Sequence, residues 1–183
     1  VLTNNIKKDL LKLARKSIIS VLKDEKLDLS PYKKYSEKRA VFVTLNKNND
    51  LRGCIGYIQA HYPSYLAVRN AARQAAFEDP RFEPVTLDEV DELEIEISVL
   101  TPLKEVFVNK PEDYLKKIII GKHGLLIKKG CYQGLLLPQV PVDYGWNQET
   151  FLENLCLKAG MMRNDWKEPG VKIYNFEAVI FQE

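Results

Sequence analysis

The chain has 183 residues, 45% of them hydrophobic and 28% charged; at about 150 residues per domain this is one folded unit, able to build a core without disulfides or metal. That composition excludes the weakly hydrophobic, highly charged class of disordered chains. Its 27 basic and 25 acidic side chains leave a net +2, and a pI near 8.3 falls short of the value above about 9 that marks a strongly basic nucleic-acid binder.

From residue 3 to about 24, Ile6, Leu10, Ala14, Ile18 and Leu22 recur at three- and four-residue spacing with lysines between them. This pattern predicts an amphipathic helix that covers a core. Residues 25–38, with Pro31 and many charges, are expected to form a connecting loop. Two β-forming runs, 39–46 and 51–59, flank a turn-like segment at 47–50 and read as a hairpin. Pro63 suits the first turn of a helix over 64–78, which stops because the residue before Pro80 is pushed out of helical geometry. Leu93, Ile95, Ile97 and Val99 alternate with Glu92, Glu94, Glu96 and Ser98, the period of a strand with one wet face. Beyond it the pattern predicts a short helix over 111–117, a glycine-punctuated β region over 118–137 and a proline-rich crossing at 138–141. A helix capped by Asn147 and closed by Gly160, then a last strand over 171–181, complete the chain. Strands and helices mix without a regular strand-helix repeat, so the fold class is α+β, a largely antiparallel sheet with packed helices, in a single domain spanning 1–183.

Function is harder to read. No apolar run approaches the ~20 residues of a membrane span, and the first residues lack the order of a secretory signal. Three cysteines without a Cys-x-x-Cys pair argue against a disulfide framework or a cysteine zinc cluster and suit a reducing cytoplasm. Two distant histidines do not suggest a metal centre. No phosphate loop, dinucleotide fingerprint or nucleophile elbow is spelled, so no cofactor is expected.

The most unusual segment is Leu51-Arg52-Gly53-Cys54-Ile55-Gly56. Two glycines inside a strand cost entropy and packing area, so something must approach the backbone at Gly53 and Gly56. In a regular strand Arg52 and Cys54 share a face. An arginine beside a thiol stabilises the thiolate, which would make Cys54 a nucleophile, Arg52 its activator, and a distant group such as His123 or Asp143 the acid-base partner. The blander reading has an inert core Cys54 and glycines packed against Ala67, Ala71 and Ala75. Arg69 and Arg73 lie on one helix face and, with Arg52 and Arg81, could hold a phosphate or carboxylate; alternatively they form a solvated face. Asp143, Tyr144 and Trp146 either line a pocket or anchor the proline-rich crossing. His123 sits in Gly121-Lys122-His123-Gly124, which has the spelling of a KH-type RNA clamp without its helical setting.

The LRGCIG segment resembles the signature of the AMME chromosomal-region protein family, called AmmeMemoRadiSam system protein A in archaea and bacteria. The resemblance continues through 79–85, the strand at 92–102, 121–127 and 134–150, and ends near Trp166 and the last strand. It implies an α+β fold with two lobes around a cleft near the motif, and an association with radical SAM and Memo-like proteins. The expected function is that of a cytoplasmic accessory or modifying protein holding a small anionic or peptide-like ligand around Arg52 and Cys54. The alternatives are a non-catalytic adaptor for such partners and weak nucleic-acid binding through Arg69, Arg73 and Arg81.

Overall fold

The computed structural model describes residues 2–183. The chain divides into two compact units. The first runs from the N-terminal residues to Leu100 and takes in Val179–Glu183; the second is Thr101–Ala178.

The first unit begins with helix α1 (Asn4–Leu22), whose leading turn is closed by Thr3 accepting from the Ile6 amide. Its Leu10, Leu13, Ala14 and Ile18 are fully buried, as the periodicity predicts. Strands β1 (Ala40–Lys47) and β2 (Asp50–Tyr57) form the expected hairpin. Asn48 and Asn49 both take positive φ, 53° and 66°, the backbone of a two-residue turn that matches strand twist. Helix α2 (Ser64–Phe77) follows Pro63, and strand β3 (Leu93–Leu100) pairs antiparallel with β1. With β8 (Ala178–Gln182) the sheet order is β2-β1-β3-β8. Val41, Val43, Leu45, Ile95 and Ile97 are buried in one cluster with Leu10, Ile18, Val68 and Ala71 from the two helices. Fully burying a side chain of this size is worth about 1.5–3 kcal/mol, so this layer supplies the main drive to fold the unit. The face of β3 expected to be wet is so only at its start: Glu94 is exposed, whereas Ser98 is buried.

The second unit is built on the sheet order β4-β7-β5-β6. Its strands are β4 (Lys104–Glu105), β5 (Gly124–Lys129), β6 (Tyr132–Leu136) and β7 (Lys172–Phe176). Its helices are the one-turn α3 (Tyr114–Lys117) and α4 (Val140–Asp143), and α5 (Gln148–Lys158), capped by the Asn147 side chain on the Thr150 amide. Phe151, Leu152, Leu155, Cys156 and Trp166 meet Leu125, Ile127 and Ile173 in its core.

Three expectations are corrected. Residues 118–123 form a turn rather than strand, because the amides of Lys122 and His123 both bond back to the Ile119 carbonyl and Gly121 takes φ 79°. The proline-rich crossing contains the turn of helix α4. The last strand is two strands in different sheets, parted at Glu177, whose amide bonds to Thr101 Oγ1 at 2.8 Å and whose carbonyl accepts from the Thr101 amide.

Candidate functional site

The two motif glycines answer to packing. A Cβ on Gly53 would lie 2.1 Å from the Ala75 carbonyl oxygen, and one on Gly56 would lie 2.4 Å from the Phe42 ring. What approaches the backbone is helix α2 on one face and a neighbouring ring on the other, so neither glycine needs a ligand to explain it.

Strand β2 is not regular where the thiolate argument needs it to be. The β1-β2 register slips between Leu45 and Asn46, which face Gly53 and Leu51 and leave Arg52 without an opposite residue. The Arg52 guanidinium therefore goes to Glu89, with Nη2 at 2.6 Å from Oε1. Glu89 also receives Lys47 at 3.2 Å and closes a capping box with Thr86 on the 3-10 turn Leu87–Glu92. Arg52 as activator of Cys54 is corrected accordingly: its guanidinium is turned to Glu89 in a pair largely shielded from solvent, and Glu89 is held below the usual carboxylate range with Arg52 among the causes.

Another arginine reaches the Cys54 neighbourhood. Asp79, just beyond the end of α2, is buried. Its Oδ2 accepts the Cys54 amide at 2.9 Å and Arg81 Nη2 at 2.7 Å, while Oδ1 accepts Arg81 Nε at 2.9 Å and the Arg81 amide at 3.2 Å. Arg81 Nη2 also points at the Cys54 carbonyl, 3.5 Å away. The acid and base of one ion pair thus meet the amide and carbonyl of one residue on the outer edge of β2, as a neighbouring strand would, and blunt that edge. Arg81 holds the Asp79 carboxyl well below the usual range. The Arg81 side chain stays 50% exposed and lies over the Phe82 ring, 5.4 Å from its centroid.

The Cys54 sulfur itself is half-buried and accepts a hydrogen bond from Thr44 Oγ1, on the facing strand, at 3.3 Å. Burial pushes its thiol up, outweighing the lowering by Thr44 and by the Arg81 charge. The thiol is therefore protonated at neutral pH, an uncharged contact rather than a ready nucleophile.

Within the first unit, Arg69 and Arg73 make bonds apart from those of Arg52. Arg69 donates through Nε and Nη2 to Asn70 Oδ1, at 2.9 and 2.8 Å. Arg73 reaches the Ser17 carbonyl at 3.3 Å and Ser20 Oγ at 3.1 Å, tying α2 to α1, so its place is corrected from an anion cluster to a helix-helix tether. In the second unit His123 Nδ1 accepts the Ile119 amide at 3.2 Å and closes its turn; burial lowers its pKa. Asp143 ends helix α4, and beyond it Tyr144 and Trp146 stack with centroids 5.0 Å apart. Among the described residues no group of three or more His, Cys, Asp or Glu could hold a metal ion.

Sequence reasoning gave Arg81 only a general anion role and passed over Asp79 and Thr44. A signal for Asp79 existed. Glu78 and Asp79 follow the negative end of α2, where acids are unfavourable unless partnered, and Arg81 stands two residues on.

Comparison with known proteins extends over nearly the whole chain. Residues 11–181 match the AMMECR1 family. Protein MJ0810 of Methanocaldococcus jannaschii is 48% identical over 94% of this chain and 88% of its own length. Protein NEQ441 of Nanoarchaeum equitans is 44% identical over 96% of this chain and 99% of its own. The crystal structure of PH0010 from Pyrococcus horikoshii superposes with a TM-score of 0.91 at 43% identity, covering 97% of this chain and 91% of that one.

Proposed function

The chain belongs to the AMMECR1 family, and from that premise we propose that it is a cytoplasmic accessory protein that binds a small anionic ligand at Arg81 and Cys54. The observation that carries the reading is the state of Arg81: two of its nitrogens and its amide are fixed by buried Asp79, yet half of the side chain faces solvent. With Nε and Nη2 on Asp79, the guanidinium is held in one orientation before the ligand arrives and has Nη1 left to donate to one oxygen of a carboxylate or phosphate, at little cost in entropy. The neutral thiol of Cys54 favours binding over nucleophilic chemistry, because a nucleophile needs a lowered rather than a raised pKa. The association with radical SAM and Memo-like proteins that the resemblance implies belongs to the same proposal, with this protein as the ligand-holding member.

The test uses thiol reagents of opposite character on a Cys131→Ser background, since Cys131 is exposed and Cys156 buried. The anionic disulfide DTNB is compared with neutral 4,4′-dithiodipyridine. One guanidinium about 6 Å from an incoming anion is worth about 1 kcal/mol at an effective dielectric between 20 and 80, so Arg81→Gln should lower the anionic-to-neutral rate ratio about fivefold. Inorganic phosphate should slow the anionic reagent in the parent protein and have little effect in the variant. An unchanged ratio in Arg81→Gln would sink the proposal.

A further inference from the structure

Helix α1 carries five basic side chains, Lys7, Lys8, Lys12, Arg15 and Lys16, against one acid, Asp9. Arg15 is fully engaged: it pairs with Glu183 through Nε and Nη2 and donates to the carbonyls of Val90 and Leu93. Lys8, Lys12 and Lys16 are exposed, and among the described residues no carboxylate lies within ion-pair distance of any of them. They stand four residues apart, so their charges repeat about every 6 Å along one ridge of the helix.

That ridge borders a groove of about 500 Å³ between α1 and the end of β8, floored by Leu11 and Ile19 and closed by the Arg15–Glu183 pair. An apolar trough beside a row of unpaired lysines fits one partner chemistry. We infer that this groove on the first unit docks an acidic amphipathic helix of a protein partner, its apolar side chains on Leu11 and Ile19 and its carboxylates at helical spacing on Lys8, Lys12 and Lys16. A helix with apolar anchors at i, i+4 and i+7 and acids flanking them repeats at the same pitch as the ridge. A nucleic acid would use the lysines but has nothing to place on the apolar floor. A bilayer surface offers both chemistries, but Leu11 is buried and Ile19 only partly exposed, too little apolar surface to anchor a helix in an interface.

The experiment is fluorescence anisotropy with the intact protein and a labelled 18-residue synthetic helix of leucine and glutamate with all leucines on one face. The controls are a scrambled peptide of equal composition, a single-stranded oligonucleotide, and vesicles of phosphatidylcholine with phosphatidylserine. Expected are saturable binding of the amphipathic peptide, at least tenfold weakening in the triple variant Lys8→Glu, Lys12→Glu, Lys16→Glu, and an intermediate loss in the corresponding triple glutamine variant, whose neutral surface changes leave the fold intact. Equal binding of the scrambled peptide, no loss in either triple variant, no binding of the amphipathic peptide, or tighter binding of the oligonucleotide or vesicles through the same lysines would each overturn the inference.

Discussion

Replacing Asp79 by asparagine preserves the size of the side chain and removes its charge. Four donor bonds end on the Asp79 carboxylate: the Cys54 amide, the Arg81 amide, and Arg81 Nε and Nη2. An asparagine can keep the pair on its carbonyl oxygen, but its NH2 then faces two further donors, whichever way the amide is turned. Breaking a fully buried pair costs about 3–5 kcal/mol. Arg81 can turn to water, being half exposed, so the expected loss falls below that range, at about 2–3 kcal/mol, or about 1 M in the urea midpoint with the slope unchanged. The pH dependence fixes the cause. The folded-state pKa of Asp79 is depressed, so its contribution is fully present above the unfolded value near 4 and is lost as pH falls toward the folded value. The gap between parent and Asp79→Asn should be constant from about pH 5 to 8 and narrow by about 1 kcal/mol at pH 3, where an unfolded aspartate is mostly protonated. Urea titrations at pH 3, 5 and 7 measure it. A gap that is negligible at pH 7, or that is as wide at pH 3 as at pH 7, would refute the reasoning.

Gly53→Ala places a methyl 2.1 Å from the Ala75 carbonyl; the strand and α2 must part by about 1 Å, for an expected cost of about 2–3 kcal/mol by thermal or urea unfolding, and a neutral substitution would show that the close approach is not tight. Cys54, its thiol raised by burial, should label slowly at pH 7 on the Cys131→Ser background, with a rate that climbs steadily with pH and does not level off in the alkaline range where a free thiol does; rapid labelling at pH 6 would contradict this. Arg73→Met keeps the stem of the side chain but loses the bonds to Ser17 and Ser20, an expected loss of about 1 kcal/mol with faster amide exchange confined to α1 and α2. Unchanged exchange in α1 and α2, or equal acceleration throughout the first unit, would argue against the tether.

The helices α1, α2 and α5 and the β1-β2 hairpin were legible because each rests on local signals: the 3.6-residue stripe of Leu10, Ala14 and Ile18, the cap at Asn147, the Asn48-Asn49 turn. The division of residues 171–181 between two sheets was not, since β7 and β8 are separated only by Glu177 and both carry β-forming residues; only their partners distinguish them. The site shows the same boundary. The oddity of Gly53 and Gly56 was visible, but what approaches them, Ala75 and Phe42, is decided by tertiary packing. Pairing Arg52 with Cys54 assumed an unbroken strand, and one register slip opposite Asn46 was enough to send the guanidinium to Glu89. Arg81 replaces it because the Asp79-Pro80 turn brings the chain back along the edge of β2, a geometry no residue-spacing rule encodes.

Strand β8 has a consequence for how the molecule is made. It neighbours β3 in the first sheet, yet residues 101–177 lie between them in the chain. Because synthesis runs from the N-terminus, α1, α2 and β1 to β3 leave the ribosome with the outer edge of β3 bare and Arg15 without Glu183. For as long as the second unit is being made, the nascent first sheet is one strand short and displays a row of open amides and carbonyls to any extended segment nearby. The price of placing β8 after the second unit is a window of exposure during translation, which closes when the Ile95 amide and Arg15 bond Glu183.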